Sequence, residues 1–498
     1  MAVPPQFPTT TFTPTVGTSI ILGSGGSSGQ AQKKILCIGC GIAAGTMSGG
    51  DIDEVYSGDE ADTYYGAGSP LARMCRAVFA QERGVRVFGG FVDELGAGTA
   101  AQVTVTFAAG PQAGAGNYSL TIMGWTIFVS IPDGTLNVGA GEAGDLLDAA
   151  IKAHPYYAQM PFTSACAAAA VVTLTAKYKG IQINDICDAI RDDSSGLTTL
   201  TATLNTAAVP GAGVALIATI LTNSATDLYD YYVLENTDSA SGILLEAHLD
   251  TYVAPLKGLR QQGIFVSQDT PANAVTCSQA INAHLIQVGN AEMWETPGHE
   301  LAAMWAAERA YREATDPATP YKGYPLKHAM PPFLMADRIL DTEIETCLHG
   351  GVTPLEWSNG DSKIVRSITS RSLTSGGAPD SSVLDTMHVA IAFACADNIE
   401  TDFETYFMKE AGIAFKLMDD PAAGILPPSF TATPKLIKDR AVRWLWTWYD
   451  NGWLQDQSTA QYEVSCSIDA VDDTRANLSL PLYTIRGFMV ADIAIFQK

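Results

Sequence analysis

Between residues 229 and 316, short apolar runs alternate with helical stripes, and this rhythm constrains the fold more than any other feature of the sequence. Strands are expected at 229–234, 263–267 and 285–288. Helices are expected at 239–252, from Thr270-Pro271 onward, and after a Thr296-Pro297 cap, the last with Leu301, Trp305 and Glu308 on its face and Asp316-Pro317-Ala318-Thr319-Pro320 at its end. Strands alternating with helices require a mainly parallel, helix-covered sheet. The same rhythm occurs earlier. A buried strand at 35–38 precedes a helix opened by Ser69 as cap and Pro70 at its first position. Leu71, Met74, Cys75, Val78 and Phe79 form its apolar face, Gly84 closes it, and 85–92 is a second strand.

Residues 96–205 differ in character. Gly, Ala and Thr are abundant, charge is low, and alternating strands are expected at 102–107, 118–123, 126–131 and 171–177, with one helix near 144–154. This reads as a β-rich domain inserted into the α/β domain. Residues 321–360 read as a Pro-rich connection, a short helix and a turn.

The stretch 363–410 opens with a strand-like run at 363–370 and a turn-rich loop at 373–380. A long helix follows, with Leu384, Met387, Ile391, Cys395, Ile399, Phe403 and Phe407 at helical spacing. Asp380, Ser381 or Ser382 is expected to cap it and Gly412 to end it. Thr433-Pro434 caps another helix, striped by Leu436, Ile437, Ala441, Trp444, Leu445, Trp448 and Tyr449, with Gly452 after its end. Tyr462, Val464, Cys466 and Ile468, then Leu478, Leu480, Leu482 and Ile485, alternate as strands do, and 488–496 is an apolar run.

The 498 residues are 47% apolar and 16% charged, enough for two to four domains with a buried core. A net charge of −24, with no Lys/Arg cluster to offset it, argues against a nucleic-acid footprint. The nine cysteines are odd in number and scattered through apolar surroundings, so reduced thiols made in a cytoplasm are expected, not a disulfide framework. Residues 1–5 lack the basic and apolar regions of a signal peptide, and no apolar run approaches the roughly 20 residues of a membrane span.

Motifs that could carry chemistry are weak. Gly39-Cys40-Gly41-Ile42-Ala43-Ala44-Gly45 follows a strand but is spaced GxGxxxG, and Thr46–Gly50 is a poor helix start, so a strand ending in a glycine turn is the expectation. Cys37-x-x-Cys40 lacks a second CxxC or a His pair. Gly25-Gly26-Ser27-Ser28-Gly29 matches GxSxG formally but lies in low-complexity linker. His299-Glu300 begins like a zincin motif, yet Ala303 stands where the second His is needed, which leaves His299 as a first-turn surface residue. Trp444, Trp446 and Trp448 are expected to be packing residues. For Arg366, Arg371 and Asp380, a buried ionic network and interface charges both remain open.

Several segments, in order, resemble the contractile tail sheath proteins of Mu-like bacteriophages. They are the glycine turn and first helix over 65–74, the run 172–180, the Asp-Pro-Ala-x-Pro ending at 316–320, and the basic strand Arg366-Ser367-Ile368-Thr369 with its Gly377-Ala378-Pro379-Asp380 loop and Leu384-Asp385 helix. The resemblance covers most of 33–498. It implies an α/β (α+β) core with a helix-covered mixed sheet, an inserted β-rich domain and extended N- and C-terminal arms. The expected division is an arm at 1–32, core at 33–95, an insertion at 96–205 facing outward, core at 206–360, a C-terminal core domain at 361–477 and a C-terminal strand at 478–498.

The resemblance further implies a structural virion protein, not an enzyme, with no cofactor, no metal and no direct nucleic-acid contact. It would be assembled in the host cytoplasm and located in the virion tail. Its partners would be further copies of itself in stacked hexameric rings, the tail tube protein, and baseplate and tail terminator proteins. The energy for contraction of a metastable extended lattice would be stored in subunit interfaces. Residues 10–22 (with Thr18, Ile20, Ile21 and Leu22) and 478–498 (with Phe488, Val490, Ile493, Ile495 and Phe496) are the candidate strands to be lent to neighbours. The alternatives are a sheath of a tailocin or other contractile injection system, and an α/β enzyme using the 39–45 loop.

Overall fold

The computed structural model describes residues 32–487 and 489, apart from 109–110, 113, 123–124, 137–141, 169–170, 181–187, 193–200, 254–257, 333–337, 382, 410–414, 423–424, 426 and 471–474. The chain begins with β1 (Lys34–Cys40), β2 (Ile52–Val55), α1 (Gly58–Tyr65), α2 (Pro70–Gln81) and β3 (Arg86–Val92). A second group follows: β4 (Gln102–Ala108), β5 (Gly116–Ile122), β6 (Trp125–Ile131), α3 (Ala143–Lys152), β7 (Phe162–Ala168), β8 (Val171–Ala176), β9 (Asp188–Asp192) and β10 (Thr201–Val209). The α/β rhythm then resumes with α4 (Ala218–Asn223), β11 (Tyr231–Leu234), α5 (Ser239–Val253), β12 (Gln262–Ser267), α6 (Pro271–Ile281), β13 (Ile286–Asn290) and α7 (Gly298–Glu313). After these come β14 (Tyr324–Pro325), α8 (Asp341–His349), β15 (Val352–Ser358), β16 (Asp361–Ile364) and α9 (Thr386–Phe403). The described chain closes with β17 (Lys416–Leu417), β18 (Thr431–Ala432), α10 (Pro434–Asp450), α11 (Gln457–Glu463), β19 (Ser465–Ile468) and β20 (Ala476–Ser479).

The main sheet runs β14-β16-β15-β13-β12-β11-β1-β3-β2. Its centre, from β15 to β3, is parallel, and the antiparallel pairs lie at its two edges. β11, β12 and β13 are buried at every position, as strands covered on both faces must be. One face packs under α2 and α7 around Trp305, Met74 and Val266. The other packs under α4, α5, α6 and α8 around Leu245, Phe265 and Val352. Ser69 caps α2 as expected, its Oγ accepting from Ala72 N at 3.2 Å.

Residues 102–209 build two antiparallel sheets, β10-β4-β8-β7 and β6-β5-β9, which close with α3 on their own apolar cluster. β6 alternates buried with exposed positions and β8 buried with half-buried ones. β10 continues to Val209, past the boundary expected at 205. Thr99 and Ala212 exchange backbone hydrogen bonds of 2.8 and 3.0 Å where the chain leaves and rejoins the core. A further cluster joins α9, α10 and α11 around Ile391, Cys395, Leu445 and Trp448.

Several local expectations are corrected. Of the run 363–370, only 363–364 enters the sheet, as the end of β16; the rest is held by single hydrogen bonds, from Val365 and Ile368 to β15 and from Ser370 to β13. The short helix and the turn expected in 321–360 are α8 and the turn at 359–360, but the strand β15 between them was not expected. α9 begins at Thr386, not near 380–382, because Asp380 is drawn to Arg371 and Asp385 forms the cap position. Gly412 and Ser382 lie outside the described residues. Tyr462 sits in α11, not in a strand, and is largely exposed. β20 pairs with β19 of the same chain, and Leu478, Leu480, Leu482 and Ile485 pack on the α9–α10 cluster, so 478–485 is held by its own subunit. No described helix is long and apolar enough to cross a membrane.

Candidate functional site

The three charges singled out in the sequence form two separate pairs. Arg366 grips Asp385 with two hydrogen bonds of 2.8 and 3.0 Å at the foot of α9. This bidentate pairing uses the carboxylate that would otherwise cap the helix. Arg371 meets Asp380 at 3.1 Å and is more exposed. Between them, Ser370 and the backbone of Ser372 and Leu373 are tied to Ala283 and Asn282, which clamps the loop beneath α6. These pairs hold α9 to the sheet.

The ends of the described chain emerge at the amino-terminal edge of the parallel strands. Lys33 Nζ pairs with Asp230 at 2.7 Å, and the same carboxylate accepts from Lys34 N at 2.8 Å. A groove of about 640 Å³ runs from there past Asp397 and Asp402 to Trp444. Arg260 draws Asp397 and Glu400 of α9 to this edge, and Arg440 holds Asp402 at 2.6 and 2.7 Å. At the other end, Lys322 Nζ donates to Met489 O. Thr18, Ile20, Ile21, Leu22, Phe488, Val490, Ile493, Ile495 and Phe496 lie outside the described residues.

Sequence reasoning missed the ionic core at this edge. Arg309 is fully buried between the rings of Tyr231 and Tyr321, 5.1 and 5.4 Å from their centres. It bonds Glu313, Gln262 and Gln287, while Tyr231 closes the circuit on Glu313. A buried guanidinium persists only when so fully paired. The available signal was Arg309 and Glu313 four apart in an Ala-rich helix, beside a second pair at Glu308 and Arg312.

The opposite edge carries the glycine loop. Strand order reverses between β1 and β11, the place where open α/β sheets accept ligands. Here the crevice is filled from within. A Cβ on Gly41 would come within 2.0 Å of the Phe91 ring, and one on Gly45 within 2.3 Å of Tyr64 O, so both glycines serve close packing. Turns, not a helix, follow the loop, so no helix N-terminus faces a phosphate. Glu235, just past β11, places a buried carboxyl at the spot, its Oε2 accepting from Cys40 N at 2.6 Å. Burial, with the Glu94 charge adding to it, raises its pKa to about 7 against the bonding from Cys40. Cys37 and Cys40 are buried free thiols, and no metal-ligand cluster occurs among the described residues.

His299 is buried, not on the surface as expected. It lies in the first turn of α7 beneath α2, where burial and then the Arg73 charge lower its pKa to about 3. Thr296, the expected cap of α7, instead accepts from Met330 N at 2.7 Å, and Gln268 Oε1 accepts from Gly298 N at 2.9 Å. Of the three tryptophans of α10, Trp448 is core, Trp444 is half-buried and Trp446 is exposed.

No family model matches the sequence. Among curated proteins it is similar to the Mu-like prophage FluMu tail sheath protein of Haemophilus influenzae, with 27% identity over 421 residues, 82% of this chain and 81% of that protein. Among solved structures it is similar to a sheath tail protein from Desulfitobacterium hafniense, at 14% identity and a TM-score of 0.45, covering 94% of this chain and 100% of the other. A sheath tail protein from Listeria innocua matches at 11% identity and a TM-score of 0.49, over 92% and 93% of the two chains.

Proposed function

We infer that the chain is a tail sheath protein of the Mu-like phage kind, a structural component of the virion and not an enzyme. The observation that carries this reading is its similarity to the FluMu tail sheath protein across four-fifths of both chains. From that membership we propose that copies stack as hexameric rings around a tail tube and contract to drive the tube through a host envelope. Neighbours would be joined by strands lent from residues 10–22 and from the residues beyond 489. Backbone hydrogen bonds would supply the hold, since an added strand satisfies the free edge of a sheet whatever its side chains.

Three features support this reading. The N-terminal end of the described chain emerges beside a groove large enough to receive extended chain. The crevice where an α/β enzyme of this topology would bind a nucleotide is packed with the protein's own side chains. The insertion at 96–205 has its own core and leaves and rejoins the rest at the Thr99–Ala212 pair, as suits an outward-facing module. Tube and baseplate contacts, and assembly in the host cytoplasm before incorporation into the tail, complete the proposal.

Electron microscopy of the purified full chain tests it. Hollow striated tubes are expected. Deleting 10–22 or 490–498 should leave a folded monomer by circular dichroism that builds no tubes. Normal tubes from both truncations would overturn the strand-lending proposal.

A further inference from the structure

Gln32, where the described chain begins, itself lines the groove of about 640 Å³ that runs to Trp444. One wall is a single face of α9 and the π-helical turn that continues it, where Asp397, Asn398, Thr401, Asp402 and Thr405 recur at helical spacing. At 1.5 Å per residue this wall is about 12 Å long. Trp444 of α10 offers the groove a half-buried ring, 5.8 Å from that of Trp448. The three carboxylates of the lining are each paired inside the subunit: Asp230 with Lys33 at 2.7 Å, Asp397 with Arg260, and Asp402 with Arg440 at 2.6 and 2.7 Å. The groove therefore requires no cation from an occupant, and a further carboxylate would meet like charges.

Residues 1–31 suit these terms. They contain no Asp, Glu, Lys or Arg, and they carry the apolar cluster Ile20-Ile21-Leu22 followed by Gly23 to Gly29, every one Gly or Ser. The other terminal segment, 490–498, carries Asp492 and departs from Met489, whose carbonyl accepts from Lys322. A Gly/Ser-rich spacer as long as 23–31 has a mean reach of about 15–18 Å, close to the length of the wall. A tether whose reach matches its gap presents its far end at an effective concentration of order 1 mM. At about 1 μM protein, a chain's own cluster thus outcompetes a neighbour's roughly a thousandfold.

We propose that in the free subunit Ile20, Ile21 and Leu22 occupy this groove against Trp444, parking the arm on its own chain. The consequence for assembly rests on the reading of 10–22 as a lent strand; the seating itself does not. Free subunits are then self-capped, and exchange of arms begins only where a growing ring concentrates neighbours.

A fluorescein-labelled peptide of residues 15–31 reads the seat by anisotropy, at full-chain concentrations where size exclusion shows monomers. Replacing Ile20→Ser, Ile21→Ser and Leu22→Ser together vacates the groove, so the peptide should bind this variant at least about tenfold more tightly than wild type. Adding Thr401→Arg, at an exposed position of the wall, should remove that binding. Equal binding to wild type and the triple variant would overturn the proposal. So would binding to neither, or tighter binding of a 485–498 peptide. Hydrogen exchange of the peptide spanning 16–24 needs no change in the arm: it should be slowed in wild type and unprotected in Thr401→Arg alone, and an unprotected wild type would overturn the seat. Electron microscopy of the triple variant separates the two readings. Normal tubes with the expected binding pattern would sink strand lending and leave the seat, whereas no tubes and no binding would sink the seat alone.

Discussion

His299 and Glu235 are both buried ionisable groups kept neutral by their surroundings, and they act on stability with opposite sign. The native state holds His299 at a pKa of about 3, below the 6.5 of a free imidazole. Between those values the unfolded chain binds more protons, so His299 makes stability rise with pH and fall away as pH drops below 6.5. Glu235 is held at about 7, above 4.5, so the native state binds more protons in that interval and stability falls as pH rises toward 7. From 4.5 to 6.5 the two slopes cancel. Replacing His299→Gln should expose the Glu235 slope. The stability of wild type relative to the variant should grow by about 1 kcal/mol per pH unit from 4.5 to 6.5 and then stay constant. Urea midpoints at five pH values measure it, and parallel wild-type and variant profiles would refute it. Neither residue was legible as buried in the sequence. His299 sits in a first turn, where exposure is the default, and only the packing of α2 over α7 removes it from water.

At the scale of single elements, identical sequence signals had different fates. Thr270-Pro271, Thr296-Pro297 and Thr433-Pro434 all read as helix caps. Thr270 and Thr433 accept from the third residue onward, as a cap does. Thr296 is turned aside by the Met330 backbone, and Gln268 reaches across to do its work. Thr433→Ala should therefore cost about 1 kcal/mol, visible as a lower thermal midpoint, with the α9–α10 cluster loosening first. An unchanged midpoint would show that the cap contributes nothing there. The elements most legible in advance were those whose periodicity comes from burial alone: α2, α10 and the strands β11 to β13. Those missed had no such pattern. β7 reads Phe-Thr-Ser-Ala-Cys-Ala-Ala, too small and even to alternate, and β15 starts immediately after a glycine pair that looks like a turn. α9 starts late because Asp385 and Asp380 are each claimed by an arginine distant in sequence or across a loop, a contest that no local reading resolves.

For the whole molecule, the neck at Thr99 and Ala212 matters most. The two strands of chain meet there side by side, so excising 100–211 and closing the gap with a short glycine turn should leave the nine-stranded core intact. Under the proposed function, the shortened protein should still form tubes by electron microscopy, thinner than those of the full chain. Its thermal midpoint should be lower, because Trp125 no longer covers Arg73 and Lys177 no longer bonds Ala67 O. Failure of a folded deletion variant to assemble would place the module in the lattice contacts instead.

β1 is flanked by parallel partners on both sides, seven residue pairs with β3 and four with β11, and it is anchored at its first residue by Asp230. A pull arriving at Lys33 from the residues before it would therefore run along the strand, straining both ladders together as shear instead of peeling them bond by bond. A tether hung on the middle of a sheet in this way yields only when many bonds fail at once, so tension between copies could be borne without unravelling the subunit that carries it.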